Sequence, residues 1–95
     1  MHLRIWQYDV AAQHVDMFVA AYAADGDWVA LFRRGAGFEG TELYRDVATP
    51  TRFLTVDSWA SEAAWLAFRR DCAADYEALG VRLAPLSSRQ QELSG

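Results

Sequence analysis

The stretch LRIWQYDV, residues 3–10, is apolar on both sides when drawn as a strand. Successive side chains of a strand project to opposite faces. Leu3 and Ile5 therefore share one face, and Trp6, Tyr8 and Val10 share the other. A strand with one wet face alternates apolar and polar residues; this one does not, so both faces call for cover. RFLTVDSW (52–59) makes the same demand, with Leu54 and Val56 on one side and Phe53 and Trp59 on the other.

Outward from the first strand (2–10), residues 11–24 read as a helix, because Val15, Phe18, Val19 and Tyr22 follow the i, i+3, i+4, i+7 spacing. ADGDW (24–28) interrupts it at Gly26, and Asp27 is placed to cap a short second helix over 28–34. FEGTELYRDV (38–47) and 52–59 read as strands joined by ATPT (48–51), where Pro50 fixes the turn. Ser61 caps a long helix expected to reach Leu79 and to stop at Gly80, with Trp65, Phe68, Cys72, Tyr76 and Leu79 as its apolar stripe. VRLAPL (81–86) is broken by Pro85, and residues 87–95 fit one helical turn capped by Ser87 or Ser88. Residues 1–95 thus form one domain, with 81–95 a poorly defined tail and a last strand short or absent.

The order β-α-α-β-β-α predicts an α+β fold, a ferredoxin-like plait with helices on one face of an antiparallel sheet. That arrangement leaves the other sheet face bare. At about 25 cal/mol per Å², several wet apolar side chains cost several kcal/mol. A second copy packed sheet to sheet removes that cost, and symmetric pairing is the commonest oligomer. Either the Leu3/Ile5 side or the Trp6/Tyr8/Val10 side of the first strand lacks a helix; Trp6, Tyr8 and Val10 are assigned to the dimer interface.

Composition narrows the function classes. The 95 residues are 53% hydrophobic and include four Trp, five Phe and four Tyr, a large aromatic area for so small an interior. An enclosed apolar cavity or a shared surface would account for it. A net charge of −4 gives no nucleic-acid footprint. Cys72 is the single cysteine, so no internal disulfide forms and a reducing, cytoplasmic setting is expected. The first residues read as a strand carrying Arg4 and Asp9 rather than a signal peptide, and no apolar run is long enough to cross a bilayer.

Trp28, Trp59, Trp65, Phe68, Cys72 and Tyr76 are the candidate cavity residues, Trp59 foremost, and the aromatic set suits a flat polycyclic ligand. Plain core packing is the competing explanation. Tyr76 offers a phenol to a ligand, whereas Cys72 has no neighbouring base and reads as a small buried hydrophobe. His2 and His14 lack ligand partners at recognised spacing, so no metal site is expected. No Gly-x-Ser-x-Gly, phosphate-binding loop or dinucleotide fingerprint occurs. Arg33, Arg34, Arg69 and Arg70 read as solvated helix faces.

LRIWQYDV, DGDWVALFRRGAGFEGTELYRDV and RFLTVDSWASEAAWLAF together resemble the antibiotic-biosynthesis-monooxygenase-like proteins of the dimeric α/β-barrel superfamily. The Gly37-x-x-Gly40 entry to the second strand and Trp59 ahead of a Ser-capped aromatic helix carry most of that likeness. The resemblance implies homodimers with facing sheets, and a cavity between sheet and helices in each subunit. It also implies cofactor-free oxidation of anthrones or quinols by O₂, or haem degradation. The haem-degrading branch uses an Asn, a Trp and a His where this chain has Gln7, Phe68 and Ala78, which argues against that activity. The anthrone oxygenases use an Asn, a Trp, a Tyr and an Arg. This chain has no Asn; Gln7 is a substitute amide, and Trp59 and Arg82 are partial stand-ins. The resemblance therefore implies a monooxygenase-like enzyme, acting on a small aromatic, anthrone- or quinol-like compound without cofactor, with Gln7, Trp59 and Tyr76 as catalytic candidates. A non-catalytic small-molecule-binding dimer and an isomerase or lyase of the superfamily are the alternatives.

Overall fold

A computed structural model describes residues 1–94. Strand β1 (His2–Val10) leads through a 3₁₀ turn (Ala12–His14) to helix α1 (Val15–Tyr22) and helix α2 (Asp27–Phe32). Strands β2 (Phe38–Arg45) and β3 (Arg52–Trp59) form a hairpin. Helices α3 (Glu62–Asp71) and α4 (Ala73–Leu83) follow, then a 3₁₀ turn (Ala84–Leu86) and strand β4 (Ser87–Glu92). The antiparallel sheet has the order β2-β3-β1-β4. This is the expected ferredoxin-like α+β plait, with its fourth strand present.

β1 and β3 are the two central strands, which accounts for their apolar character on both sides. In the β1–β3 register His2, Arg4, Trp6 and Tyr8 lie opposite Trp59, Asp57, Thr55 and Phe53. This set faces the helices. Tyr8 and Val10 are buried, and Tyr8 packs 5.2 Å from Phe18 and 4.9 Å from Tyr22 between ring centroids. Trp6, Tyr8 and Val10 therefore do not form the open face, contrary to the sequence expectation. The open face carries Leu3, Ile5, Leu54 and Val56, with Tyr44 from β2, and Leu3 and Tyr44 are 38% and 49% exposed. Both faces of LRIWQYDV are apolar; the α-helices took the aromatic one because its rings fill the deeper space.

The core is an aromatic cluster. Trp59 is fully buried, with ring centroids of Phe32, Phe38, Trp65 and Phe68 at 5.1–5.7 Å. Gly37 allows this close packing: a Cβ there would lie 2.4 Å from Ala64 Cβ on α3. Gly40 sits at a bulge in β2 with φ of +143°, a conformation that side-chain-bearing residues rarely adopt.

Four local expectations give way to tertiary context. Asp27 does not cap α2: Gly26 holds the cap position, and Asp27 Oδ2 instead accepts from Arg82 at 2.8 Å. The long helix after Ser61 divides at Cys72 (φ −115°, ψ 24°), though Ser61 does cap it by accepting from Ala64 N–H. The helix also does not stop at Gly80; α4 continues to Leu83, so that both Leu79 and Leu83 reach the core. Finally, residues 87–92 are a strand rather than a helical turn, and residues 81–94 are an ordered helix end, turn and strand. The free edge of β1 supplies the reason: its backbone groups need partners, and SSRQQE satisfies them. The pairing extends past the strand, where Leu93 N–H donates to Ile5 O at 2.8 Å.

Gly80 inside α4 gives a direct test. A Cβ there meets only Trp28 Cη2, at 3.9 Å, an ordinary contact. Gly→Ala in a helix interior gains about 0.5–1 kcal/mol where space allows. Gly80→Ala is expected to raise stability by that amount in urea denaturation.

Candidate functional site

Between the sheet and helices α1, α2 and α4 lies a cavity of about 110 Å³. β1 contributes Trp6 and Tyr8, β2 Thr41, and β3 Thr55 and Asp57. Tyr22, Trp28, Phe32, Tyr76 and Gly80 close it from the helices, and Gln90 of β4 borders it. Its wall is thus mostly aromatic, with hydroxyls and one carboxylate on the sheet floor. The floor residues arrive there by strand alternation: Phe53, Thr55, Asp57 and Trp59 share the inward face of β3.

The residues expected to line one cavity divide three ways. Trp28 and Tyr76 do line it, 5.3 Å apart between ring centroids. Trp59, Trp65 and Phe68 are core, with Trp59 filling space beside them rather than bordering a hollow. Cys72 borders a separate depression between α3 and residues 34–37. Gln7 lies on the opposite face of the sheet, beside Tyr44, Arg52 and Leu54. The backbone therefore does not bring Gln7, Trp59 and Tyr76 to a common point.

Asp57 is the functional group that the strand reading passed over. It is 8% exposed, and its Oδ1 accepts a hydrogen bond from Thr41 Oγ1 at 2.7 Å. Burial pushes its pKa up from 3.8 to about 6; the Thr41 hydrogen bond and the charge of Arg4 hold it from rising further. Arg4 itself is paired with Glu92 and lies 4.9 Å over the Trp65 ring. Burial also raises the phenols of Tyr8, Tyr22 and Tyr76, so all three remain protonated donors at neutral pH. For Tyr8 the neighbouring Tyr22 adds to the rise; for Tyr76 the guanidinium of Arg69, 4.1 Å over its ring, opposes it. The signal for Asp57 was present in the sequence: an acid at an inward position between Thr55 and Trp59.

The raised pKa makes Asp57 a cost to the fold when ionised. Its folded-state pKa lies above its unfolded value, so stability falls as pH rises from about 4 to about 6. Two units correspond to roughly 3 kcal/mol at most. Asp57→Asn is expected to stabilise the protein by about 1–3 kcal/mol at pH 8 and to be neutral at pH 4. Urea denaturation at both pH values measures this; destabilisation at pH 8 would show that the carboxylate is a net structural asset.

Among the described residues no group of three or more His, Cys, Asp or Glu side chains is arranged to hold a metal ion. Among the described residues no helix is long and apolar enough to cross a membrane. No curated protein matches the chain. Solved structures do. A Bordetella bronchiseptica protein provisionally assigned as an antibiotic biosynthesis monooxygenase superimposes with a TM-score of 0.72 at 20% identity, over 95% of this chain and 89% of that one. A Deinococcus radiodurans protein with the same provisional assignment gives 0.75 at 14% identity, over 97% and 87%. MupZ from Pseudomonas fluorescens gives 0.70 at 13% identity, over 95% and 68%. At these identities the likeness speaks to the fold. The sequence profile of the antibiotic biosynthesis monooxygenase family matches residues 1–74, from β1 into α4. With that match over most of its length, and the plait and sheet-to-helix cavity in place, this chain belongs to the antibiotic biosynthesis monooxygenase family.

Proposed function

We propose that the chain is a monooxygenase-like enzyme that oxidises a single-ring phenol or quinol with O₂. The cavity carries this reading: aromatic walls favour a flat ring, and family membership supports an oxygenase. Its size sets the substrate class. A cavity of about 150 Å³ holds benzene, so at about 110 Å³ even a single ring needs some movement of the wall, and a tricyclic anthrone needs far more. A single ring enters when Trp28 or Tyr76, both only partly buried, gives way. The chemistry asks little of the protein. A quinol and O₂ yield a hydroxyquinone and water: one oxygen atom enters the ring and the other leaves as water. An electron-rich phenolate can pass an electron to O₂ directly, and the protein supplies exclusion of water and hydrogen bonds to the anion. Tyr76 is the donor best placed on the helix side, with Trp28 as the ring's stacking partner.

The working unit in this reading is a homodimer, its partner covering Leu3, Ile5, Leu54 and Val56. The free Cys72 suits a reducing compartment such as the cytoplasm.

Two experiments test the reading. Oxygen consumption with a panel of monocyclic phenols and quinols, on metal-stripped protein, is expected to exceed the uncatalysed rate by orders of magnitude for at least one, and Tyr76→Phe to lower kcat about tenfold or more. No uptake with any of them overturns it. A product formed without O₂ uptake would indicate an isomerase, and a ligand retained unaltered a carrier. Val56→Asp is expected to convert a sedimenting dimer to a folded monomer, because a charge on the covered face has no partner. A wild-type monomer at micromolar concentration overturns the dimer.

A further inference from the structure

Of the groups lining the cavity, the phenols of Tyr8, Tyr22 and Tyr76 and the hydroxyls of Thr41 and Thr55 are all protonated at neutral pH. Asp57 is the one lining side chain that can take up a proton there. It stands on a central strand, so its position is fixed on both sides by the β1 and β2 ladders. Thr41 occupies Oδ1, and among the described residues no hydrogen bond is made to Oδ2. Among the described residues no cation lies within salt-bridge distance; Arg4, across the strand pair, is engaged by Glu92 and by the Trp65 ring.

A structural role explains this poorly. A Thr–Asp pair that only joined β2 to β3 would be replaced at no loss by two apolar side chains of the same shape. A carboxylate kept in a cavity wall, short of a counter-ion and with one oxygen free, is arranged for proton transfer.

We propose that Asp57 is the general base of this cavity, accepting the hydroxyl proton of a single-ring phenol or quinol, with Thr41 as its positioning residue. The proposal rests on the reading of the cavity as a phenol or quinol site. In the step, the substrate O–H bond breaks and its electron pair stays on the substrate oxygen. The proton bonds to an Asp57 carboxylate oxygen. No electron is gained or lost until the phenolate meets O₂. Arg4, half-buried across the strand pair and already paired with Glu92, favours the Asp57 anion only through its more distant charge. The other charged or titratable groups around the carboxylate are Tyr8 from β1, Tyr22 from α1, Tyr76 from α4 and Glu92 from β4, with Arg69 of α3 over Tyr76. The three phenols are all raised, which leaves Asp57, at about 6, as the lining group that titrates near neutrality.

Binding of hydroquinone under argon, followed by tryptophan fluorescence between pH 4.5 and 8, tests this without turnover. Hydroquinone does not ionise in that range. Its affinity is expected to fall about tenfold or more as pH drops through about 6, because the charged acceptor is lost. Asp57→Asn is expected to bind weakly with no pH dependence. Thr41→Val is expected to move the midpoint to higher pH, since it removes the hydrogen bond that favours the ionised form; a merely structural Thr41 would not move it. With an oxidisable substrate, Asp57→Asn is expected to slow oxygen consumption by at least about 100-fold. Flat binding in the wild type, no binding at millimolar hydroquinone, or an unchanged midpoint in Asp57→Asn overturns the proposal. If binding follows pH as stated but no substrate consumes O₂, the oxygenase reading falls and the base stands. If oxygen uptake survives Asp57→Asn, the base falls and the oxygenase stands.

Discussion

The alternation of side chains along two central strands constrains everything else in this subunit. β1 and β3 sit between neighbours on both edges, so their backbones are satisfied and only their faces remain to be covered. One face holds Trp6, Tyr8, Val10, Phe53 and Trp59, and the helices fold onto it. The other holds Leu3, Ile5, Leu54 and Val56, none of them fully buried in the single chain. Sliding either strand by one residue would exchange the two sets and leave the rings in water. The register is therefore set by the aromatic face, and the open apolar face is its unavoidable counterpart.

The same alternation places the site. The inward row of β3 runs Phe53, Thr55, Asp57, Trp59, so two apolar anchors bracket two polar residues. The anchors bury completely and hold the helices close at both ends. Over the polar pair the rings of Tyr22, Trp28 and Tyr76 meet small side chains, and a hollow remains. Protein interiors otherwise pack to crystal-like density, so a hollow with a carboxylate on its floor is not a by-product of poor fit. Filling it with apolar side chains would satisfy the fold better.

Most of the framework was legible in the sequence, for a physical reason that also marks where legibility stopped. β1, β2, β3 and the capped helix after Ser61 carry their own signals: aromatic and β-branched runs, a turn with Pro50, and a Ser N-cap whose hydroxyl bonds Ala64 N–H. β4 carries none, since SSRQQE is polar and its strand state is imposed by the edge of β1. The passage of α4 through Gly80 and the divide at Cys72 likewise answer to packing against Trp28 and the core, not to local propensity. Of the site, Trp28 and Tyr76 were legible as aromatics on apolar stripes, but a stripe looks the same whether it meets a sheet or a hollow. Trp65 and Phe68 met the sheet, packing on Trp59 of β3. Gln7 fell on the wrong face because position 7 is odd in a strand whose even residues point inward.

Asp57 shows how stability and chemistry pull against each other in a domain this small. The chain has few residues with which to offset a buried charge, and stability margins of single domains are only about 5–15 kcal/mol. A carboxylate costing about 2–3 kcal/mol at neutral pH takes a visible share of that margin. The aromatic cluster around Trp59 is the compensation. Burial of Trp and Phe side chains stabilises by several kcal/mol each, with edge-to-face contacts adding about 0.5–1.5 kcal/mol per pair. The packing of Phe32, Phe38, Trp59, Trp65 and Phe68 on one another, held tight by Gly37 against Ala64, lets the neighbouring wall remain hollow and charged. The aromatic excess noted in the sequence therefore divides in two: one part lines a cavity, and the larger part holds the cavity open.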